Sequence, residues 1–191
     1  MSGSTPIVLV GPPGAGKSTT GRLLAGRLGL GFLDVDDEIE RQAGRTVAEI
    51  FTGQGEDVFR KWERDTVRRS LVEHRGVLAL GGGAVLADET RSLLREHTVV
   101  FLNVGMAEGV RRTGLSSNRP LLAGINPRAT FKALLDARLP LYREVASLEV
   151  ITDRQSADEV AVAVLTELAA LDSGDAASGS TDAGPAEPGT V

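Results

Sequence analysis

The chain has 191 residues, 41% hydrophobic and 25% charged, with no cysteine. This suits one globular domain, or one domain and a tail; it excludes a repeat array, a collagen-like or wholly disordered chain, and any disulfide, thiol nucleophile or thiolate metal site. The formal charge of −5 is concentrated at the end, where Asp172, Asp175, Asp182 and Glu187 meet no base, so residues 1–171 stand near −1.

The first six residues bring no basic side chain ahead of the short apolar run that follows, which is not a secretory signal; the cytoplasm is the expected location. Ile7 to Val10 is apolar and β-branched and reads as a buried strand. Lys17 to Leu28 reads as a helix with Leu23, Leu24 and Leu28 on one face and a stop at Gly29. Phe32-Leu33-Asp34 is a second strand running into further acids. Thr46-Val47-Ala48-Glu49 has the spacing of a capping box and predicts a helix start. Glu56 to Glu73 is a long amphipathic helix with Phe59, Val67 and Leu71 inward. Val77 to Leu80 is a third strand, stopped by Gly81-Gly82-Gly83; the apolar stretch around it is too short to span a membrane. Asp88 to Glu96 is helical, Thr98 to Val104 is a fourth strand, and Ala107 to Arg112 is helical again. Gly114 to Asn126 reads as a loop. Arg128 to Arg138 is a helix that ends near Pro140, Leu148 to Thr152 is a fifth strand, and Ala157 to Leu171 is a closing helix. This alternation predicts an α/β fold, a parallel sheet covered by helices on both faces. Residues 1–171 would form the domain and 172–191 a disordered acidic tail with almost nothing to bury.

Gly11-Pro-Pro-Gly14-Ala15-Gly16-Lys17-Ser18 matches G-x-x-x-x-G-K-[ST], between a strand and a helix as that motif requires. Such a loop curls its N–H groups around phosphate oxygens, with the helix N-terminus behind them. Lys17 would reach the outer phosphates and the Ser18 hydroxyl would ligate Mg²⁺. The motif establishes nucleotide binding, not a reaction; the modest size and a later arginine-bearing loop favour a small-molecule kinase. Lysines are few (Lys17, Lys61 and Lys132) against 18 arginines, so most positive charges are planar forks suited to carboxylate or phosphate.

Asp34, Asp36 and Asp37 end the second strand, on the side where doubly wound sheets bind ligands. Strand alternation would put Asp34 and Asp36 on one side, one near Mg²⁺ and the other accepting from a substrate hydroxyl. Alternatively Asp36 or Asp37 caps the next helix. Gly81, Gly82 and Gly83 would let a ligand approach their N–H groups. Phe51, Phe59 and Trp62 could wall a substrate ring or simply pack the core. His74 and His97 have no partner motif and are read as structural.

The order of motifs — the phosphate loop, Leu33-Asp-Val-Asp-Asp37, Phe59-Arg60-Lys-Trp-Glu63, Leu80-Gly-Gly-Gly-Ala84, Arg119-Pro-Leu-Leu122 and Arg138-Leu-Pro-Leu-Tyr142 — resembles the shikimate kinase family across about residues 6–171. The resemblance implies a nucleoside-monophosphate-kinase-like P-loop fold, with a five-stranded parallel sheet and a mobile lid at about 114–126. It implies transfer of the γ-phosphoryl group of ATP to the 3-hydroxyl of shikimate, with Mg²⁺, in a monomer that binds neither nucleic acid nor membrane. Carried over by position, Gly14, Ala15, Gly16, Lys17, Ser18 and Thr19 would hold ATP phosphates. Ser18 would ligate the metal, with Asp34 near it through water. Asp36, Arg60, Gly82 and Arg138 would bind shikimate beside Gly81 and Gly83, and Arg119 would be the lid arginine on the phosphates. Lys17, Asp36 and Arg119 form the expected catalytic set. Glu63 lies one helical turn from Arg60 and could brace it. Arg112 and Gln155 are the candidates for the adenine side. Two rivals use the same loop: a nucleoside-monophosphate or gluconate kinase, and a nucleotide-binding module without transfer. Shikimate-dependent ADP release separates them.

Overall fold

The computed structural model describes residues 5–113 and 126–178. Residues 114–125 of the expected lid, with Arg119, lie outside them, as do residues 179–191 of the expected tail. Each apolar run expected to be a strand is one: β1 (Ile7–Val10), β2 (Gly31–Asp34), β3 (Gly76–Ala79), β4 (Thr98–Asn103) and β5 (Leu148–Ile151). They form one parallel sheet in the order β2-β3-β1-β4-β5.

Side-chain alternation splits the core in two. Val8, Val10, Leu78, Leu80, Val99 and Phe101 face one way. There they meet α2 (Val35–Ala43), α3 (Val47–Gln54), α4 (Glu56–Glu73), α5 (Asp88–Leu94) and α7 (Pro127–Val145). Leu9, Val77, Val100, Leu102 and Val150 face the other way, onto α1 (Lys17–Leu28) and α8 (Ala157–Ser178). A further helix, α6 (Met106–Thr113), follows β4. Strands with no solvent face read as continuous apolar runs, which is why four residues sufficed to recognise β1.

Several boundaries differ from expectation for physical reasons. The second strand stops at Asp34 and α2 starts at once, with Asp34 as its N-cap: the Asp36 amide donates to Asp34 Oδ1 at 3.0 Å. Asp34 and Asp36 are therefore a cap and a first-turn residue rather than alternate positions on a strand, and neither Asp36 nor Asp37 is the cap. On α1, of the three leucines only Leu24 is buried; Leu28 is exposed, and Gly21 packs under the Phe32 ring of β2. The helix α7 runs straight through Pro140 to Val145. Proline inside a helix costs about 3 kcal/mol. Beyond it Leu141, Tyr142 and Val145 reach the core, and burying each such side chain returns roughly 1.5–3 kcal/mol. The closing helix α8 continues past Leu171 to Ser178, into the segment expected to be tail. Once a helix is nucleated, adding residues is inexpensive. The capping box at Thr46 forms as read, with the Glu49 amide on Thr46 Oγ1 and the Thr46 amide on Glu49 Oε2.

Candidate active site

The strand register brings three loops to one level. Leu9 of β1 and Asp34 of β2 both pair with Ala79 of β3. The phosphate loop, the Asp34–Asp36 turn and Gly81–Gly83 thus leave the same edge of the sheet side by side.

The phosphate loop passes into α1 at Gly16, whose φ of 88° is left-handed and favours glycine. Lys17 curls back, its Nζ donating to the carbonyls of Gly11 at 2.8 Å and Pro12 at 3.2 Å. Ser18 Oγ donates to Asp34 Oδ2 at 2.5 Å. A hydroxyl and a carboxylate in contact at the mouth of a phosphate loop are the hard oxygen donors that Mg²⁺ takes alongside substrate phosphates. Among the described residues there is no group of three or more His, Cys, Asp or Glu that could hold a metal ion.

Next to it is a cavity of ≈ 250 Å³. Lys17, Ser18 and Asp34 line its phosphate-loop end, and Asp36, Arg60, Glu63, Gly81–Gly83 and Arg138 line the remainder, with Phe51 and Phe59 as apolar wall. The Phe51 and Phe59 rings pack on each other, 4.6 Å between centroids. Trp62 packs against the core and is absent from this wall.

Arg60 is held from two sides. Its Nη1 donates to Glu63 Oε2 at 2.7 Å, and Nε and Nη2 donate to Glu56 Oε1 at 3.1 and 2.9 Å. Burial pushes the Glu63 carboxyl up, against the pull of Arg60. Burial alone would lower the Arg60 pKa; Glu63 and Glu56 more than offset it and hold the guanidinium charged. The other Glu63 oxygen, Oε1, is buried with no hydrogen-bond partner among the described residues. Gly81 and Gly83 serve these side chains as well as any ligand. A Cβ at Gly81 would stand 2.6 Å from Glu63 Oε1 and 2.8 Å from Asp36 Oδ1, and one at Gly83 would overlap the Arg60 guanidinium. Arg138 on α7 is buried, and its Nη1 donates to the Gly82 carbonyl at 3.0 Å.

A second cavity of ≈ 490 Å³ opens on the other side of the phosphate loop, lined by Gly16, Thr19, Arg112, Arg154 and Gln155 among others. Arg112 ties its walls together: Nε donates to Glu108 at 2.8 Å, Nη2 to the Thr152 carbonyl at 2.9 Å and Nη1 to the Gly14 carbonyl at 3.3 Å. Gln155 Nε2 is turned back onto the Ile151 carbonyl at 2.8 Å. Arg154 is the one described non-glycine residue with positive φ, 59°. His74 and His97 each meet a backbone carbonyl, of Val77 and Leu93, in line with structural roles.

The structure thus gathers Lys17, Ser18, Asp34, Asp36, Arg60, Gly81–Gly83 and Arg138 at one cavity, and Arg112 and Gln155 at its neighbour. Residues to which the sequence reading gave no role are Glu56 and Tyr142. Glu56 was visible as a partner one turn before Arg60. Tyr142, whose hydroxyl donates to the Gly82 carbonyl at 2.6 Å, lies four residues after Arg138. It was hidden by ending that helix at Pro140.

The family described as Shikimate kinase matches residues 13–169. A shikimate kinase of Saccharopolyspora erythraea is 68% identical over 146 residues, 76% of this chain and 83% of the relative. One of Rhodococcus jostii is 49% identical, covering 85% of this chain and 96% of that one. The solved shikimate kinase of Acinetobacter baumannii in complex with shikimate superposes with a TM-score of 0.85 at 40% identity, over 87% of this chain and 94% of that one.

Proposed function

This chain belongs to the shikimate kinase family and is an ATP-dependent phosphotransferase acting on the 3-hydroxyl of shikimate; from that premise we propose which of its residues perform each part of the reaction. The observation that carries the assignment is the ≈ 250 Å³ cavity that joins Asp36, Arg60 and Arg138 to the Lys17–Ser18 end of the phosphate loop.

Shikimate is a carboxylated ring with three hydroxyls. Arg60 and Arg138 receive its carboxylate, for which guanidinium forks are suited. Arg60 keeps N–H groups to spare, since a guanidinium has five donors and three are spoken for by Glu63 and Glu56. The N–H groups of Gly81–Gly83 meet the ring hydroxyls, and Phe51 and Phe59 close the apolar side. Asp36 accepts the hydrogen of the attacking hydroxyl and steers the oxygen toward the phosphoryl group. Gly14 to Thr19 cradle the ATP phosphates. Lys17 exchanges the Gly11 and Pro12 carbonyls for phosphate oxygens, and Arg119 meets the transferring group. Arg112 and Gln155 border the base.

Ser18 and Asp34 would hold Mg²⁺, whose chemistry when bound is to neutralise charge on the phosphate oxygens. Family membership further supports a cytoplasmic enzyme, and we take it to work as a monomer.

The experiment is Asp36→Asn, which keeps the shape and removes the accepting charge. The expected result is a fall in kcat of ~10²-fold or more with ATP affinity nearly unchanged. Loss of ATP affinity with intact shikimate kinetics would exchange the roles of Asp36 and Asp34.

A further inference from the structure

The carbonyl of Gly82 is the meeting point of two side chains from α7. Arg138 Nη1 donates to it at 3.0 Å and the Tyr142 hydroxyl at 2.6 Å. The two donors are four residues apart, hence on one face of the helix, and they reach a loop more than fifty residues upstream. We propose that Tyr142 is a positioning residue for the acceptor: its hydroxyl fixes the Gly82–Gly83 peptide and the Arg138 guanidinium beside it, so that both present their donors to the substrate in one arrangement.

Packing alone does not account for the hydroxyl. The Tyr142 ring is fully buried and stacks on Phe101, with centroids 5.1 Å apart and planes 19° apart. Phenylalanine would fill that space equally well. Besides a hydrogen bond with Arg138 itself, the hydroxyl adds a second donor to the Gly82 oxygen, and a carbonyl oxygen has two lone pairs. That second donor matters because Arg138 has two uses. It lines the cavity, and its charge is needed there for the substrate carboxylate. If Arg138 turns toward a carboxylate, Tyr142 still holds the Gly82 oxygen. The peptide unit then keeps its orientation, and so does the Gly83 N–H, which points opposite to that oxygen in a planar trans peptide. Tyr142 can do this at any working pH. Burial pushes its pKa up to about 12, even against the neighbouring Arg138 charge, so the hydroxyl remains a donor.

The inference rests on the assignment of this cavity to shikimate, and the test separates the two. Steady-state kinetics are measured for wild type, Tyr142→Phe, Arg138→Ala and the double variant. Val164→Ala, a core truncation on the opposite face of the sheet, serves as a stability control. Tyr142→Phe should raise the KM for shikimate about 3–10-fold, the worth of one ordinary hydrogen bond. The KM for ATP should be unchanged and kcat should stay within about twofold. In the Arg138→Ala background the same change should raise the shikimate KM by at least the same factor, because Tyr142 is then the one donor of the pair left on the Gly82 oxygen. Val164→Ala should lower Tm with no change in either KM. An unchanged shikimate KM in Tyr142→Phe, an equal rise in the KM for ATP, or a rise of less than about twofold when Tyr142→Phe is added to Arg138→Ala would overturn the role of Tyr142. ADP release by wild type that does not depend on shikimate would instead overturn the cavity assignment.

Discussion

Gly81→Ala tests the acceptor site without removing any of its functional groups. The new methyl carbon would sit 2.6 Å from Glu63 Oε1 and 2.8 Å from Asp36 Oδ1, where ordinary contact begins at 3.4 Å. Both oxygens must therefore retreat by more than half an ångström. Neither has easy room: Glu63 is buried and tied to Arg60 at 2.7 Å, and Asp36 stands on the first turn of α2. Overpacking of this kind costs about 1–3 kcal/mol. In a domain of this size that is a Tm loss of about 2–12 °C. The functional loss should be larger in proportion. A misplacement of 1 Å is worth about 10²-fold in rate, so a shift of half that should lower kcat/KM for shikimate at least about tenfold. The KM for ATP should not move. Coupled ADP-release kinetics and a thermal melt on the same preparation measure both. Gly26→Ala is the control: a Cβ there meets nothing within 4 Å, in the exposed interior of α1. It should gain about 0.5–1 kcal/mol and leave the kinetics alone. Wild-type shikimate kinetics in a folded Gly81→Ala protein would refute the claim that Asp36 and Glu63 stand at the acceptor.

Arg119→Ala should chiefly lower kcat, by about 10²–10³-fold, as expected of an arginine that meets the transferring phosphoryl group. Arg138→Ala should chiefly raise the KM for shikimate; the reverse pattern would exchange the two roles. Glu38 accepts from Arg41 and Gln42, and the Arg41 hydrogen bond above all lowers its pKa from 4.5 to about 2. A carboxyl more acidic in the folded than in the unfolded chain stabilises above 4.5, and that stability is lost as pH falls toward about 2. Melting curves across that window should therefore fall less steeply for Glu38→Gln than for wild type, and parallel curves would contradict this. A chain stopped after Leu171 keeps Val160, Val164 and Leu168, through which α8 packs on the core. Its Tm should stay within about 2 °C of wild type, and a loss of 5 °C or more would show that the turns beyond Leu171 dock.

What the sequence made legible was what short-range rules control. Buried parallel strands are apolar runs, the phosphate loop is a fixed string of glycines before Lys17, and the box at Thr46 needs only four residues. Arg60 and Glu63 follow from helical spacing. Two misreadings shared one cause, the extension of a local rule past a boundary set by tertiary structure. Carrying the second strand beyond Asp34 turned a helix cap into a strand residue, though the juxtaposition of Asp34 and Asp36 with the phosphate loop survived. Ending α7 at Pro140 concealed that Arg138 and Tyr142 share a face. The proline rule is an energy of about 3 kcal/mol, and the core contacts of Leu141, Tyr142 and Val145 outweigh it. The glycines at 81–83 were read as room for a ligand. That they also admit Glu63, Asp36 and Arg60 against the backbone depends on how α2 and α4 pack over β3, which no local pattern encodes.

The central claim is that the Asp36–Arg60–Arg138 cavity delivers a shikimate hydroxyl to ATP bound at the phosphate loop. It is tested most directly by ADP release from wild-type enzyme with Mg²⁺ and ATP. The acceptor is shikimate, gluconate, a nucleoside monophosphate or none, and the product is examined by phosphorus NMR. The account predicts rapid release with shikimate alone and a new phosphate monoester on its ring. Release that is equally fast without shikimate, or faster with gluconate or a nucleotide, would contradict it.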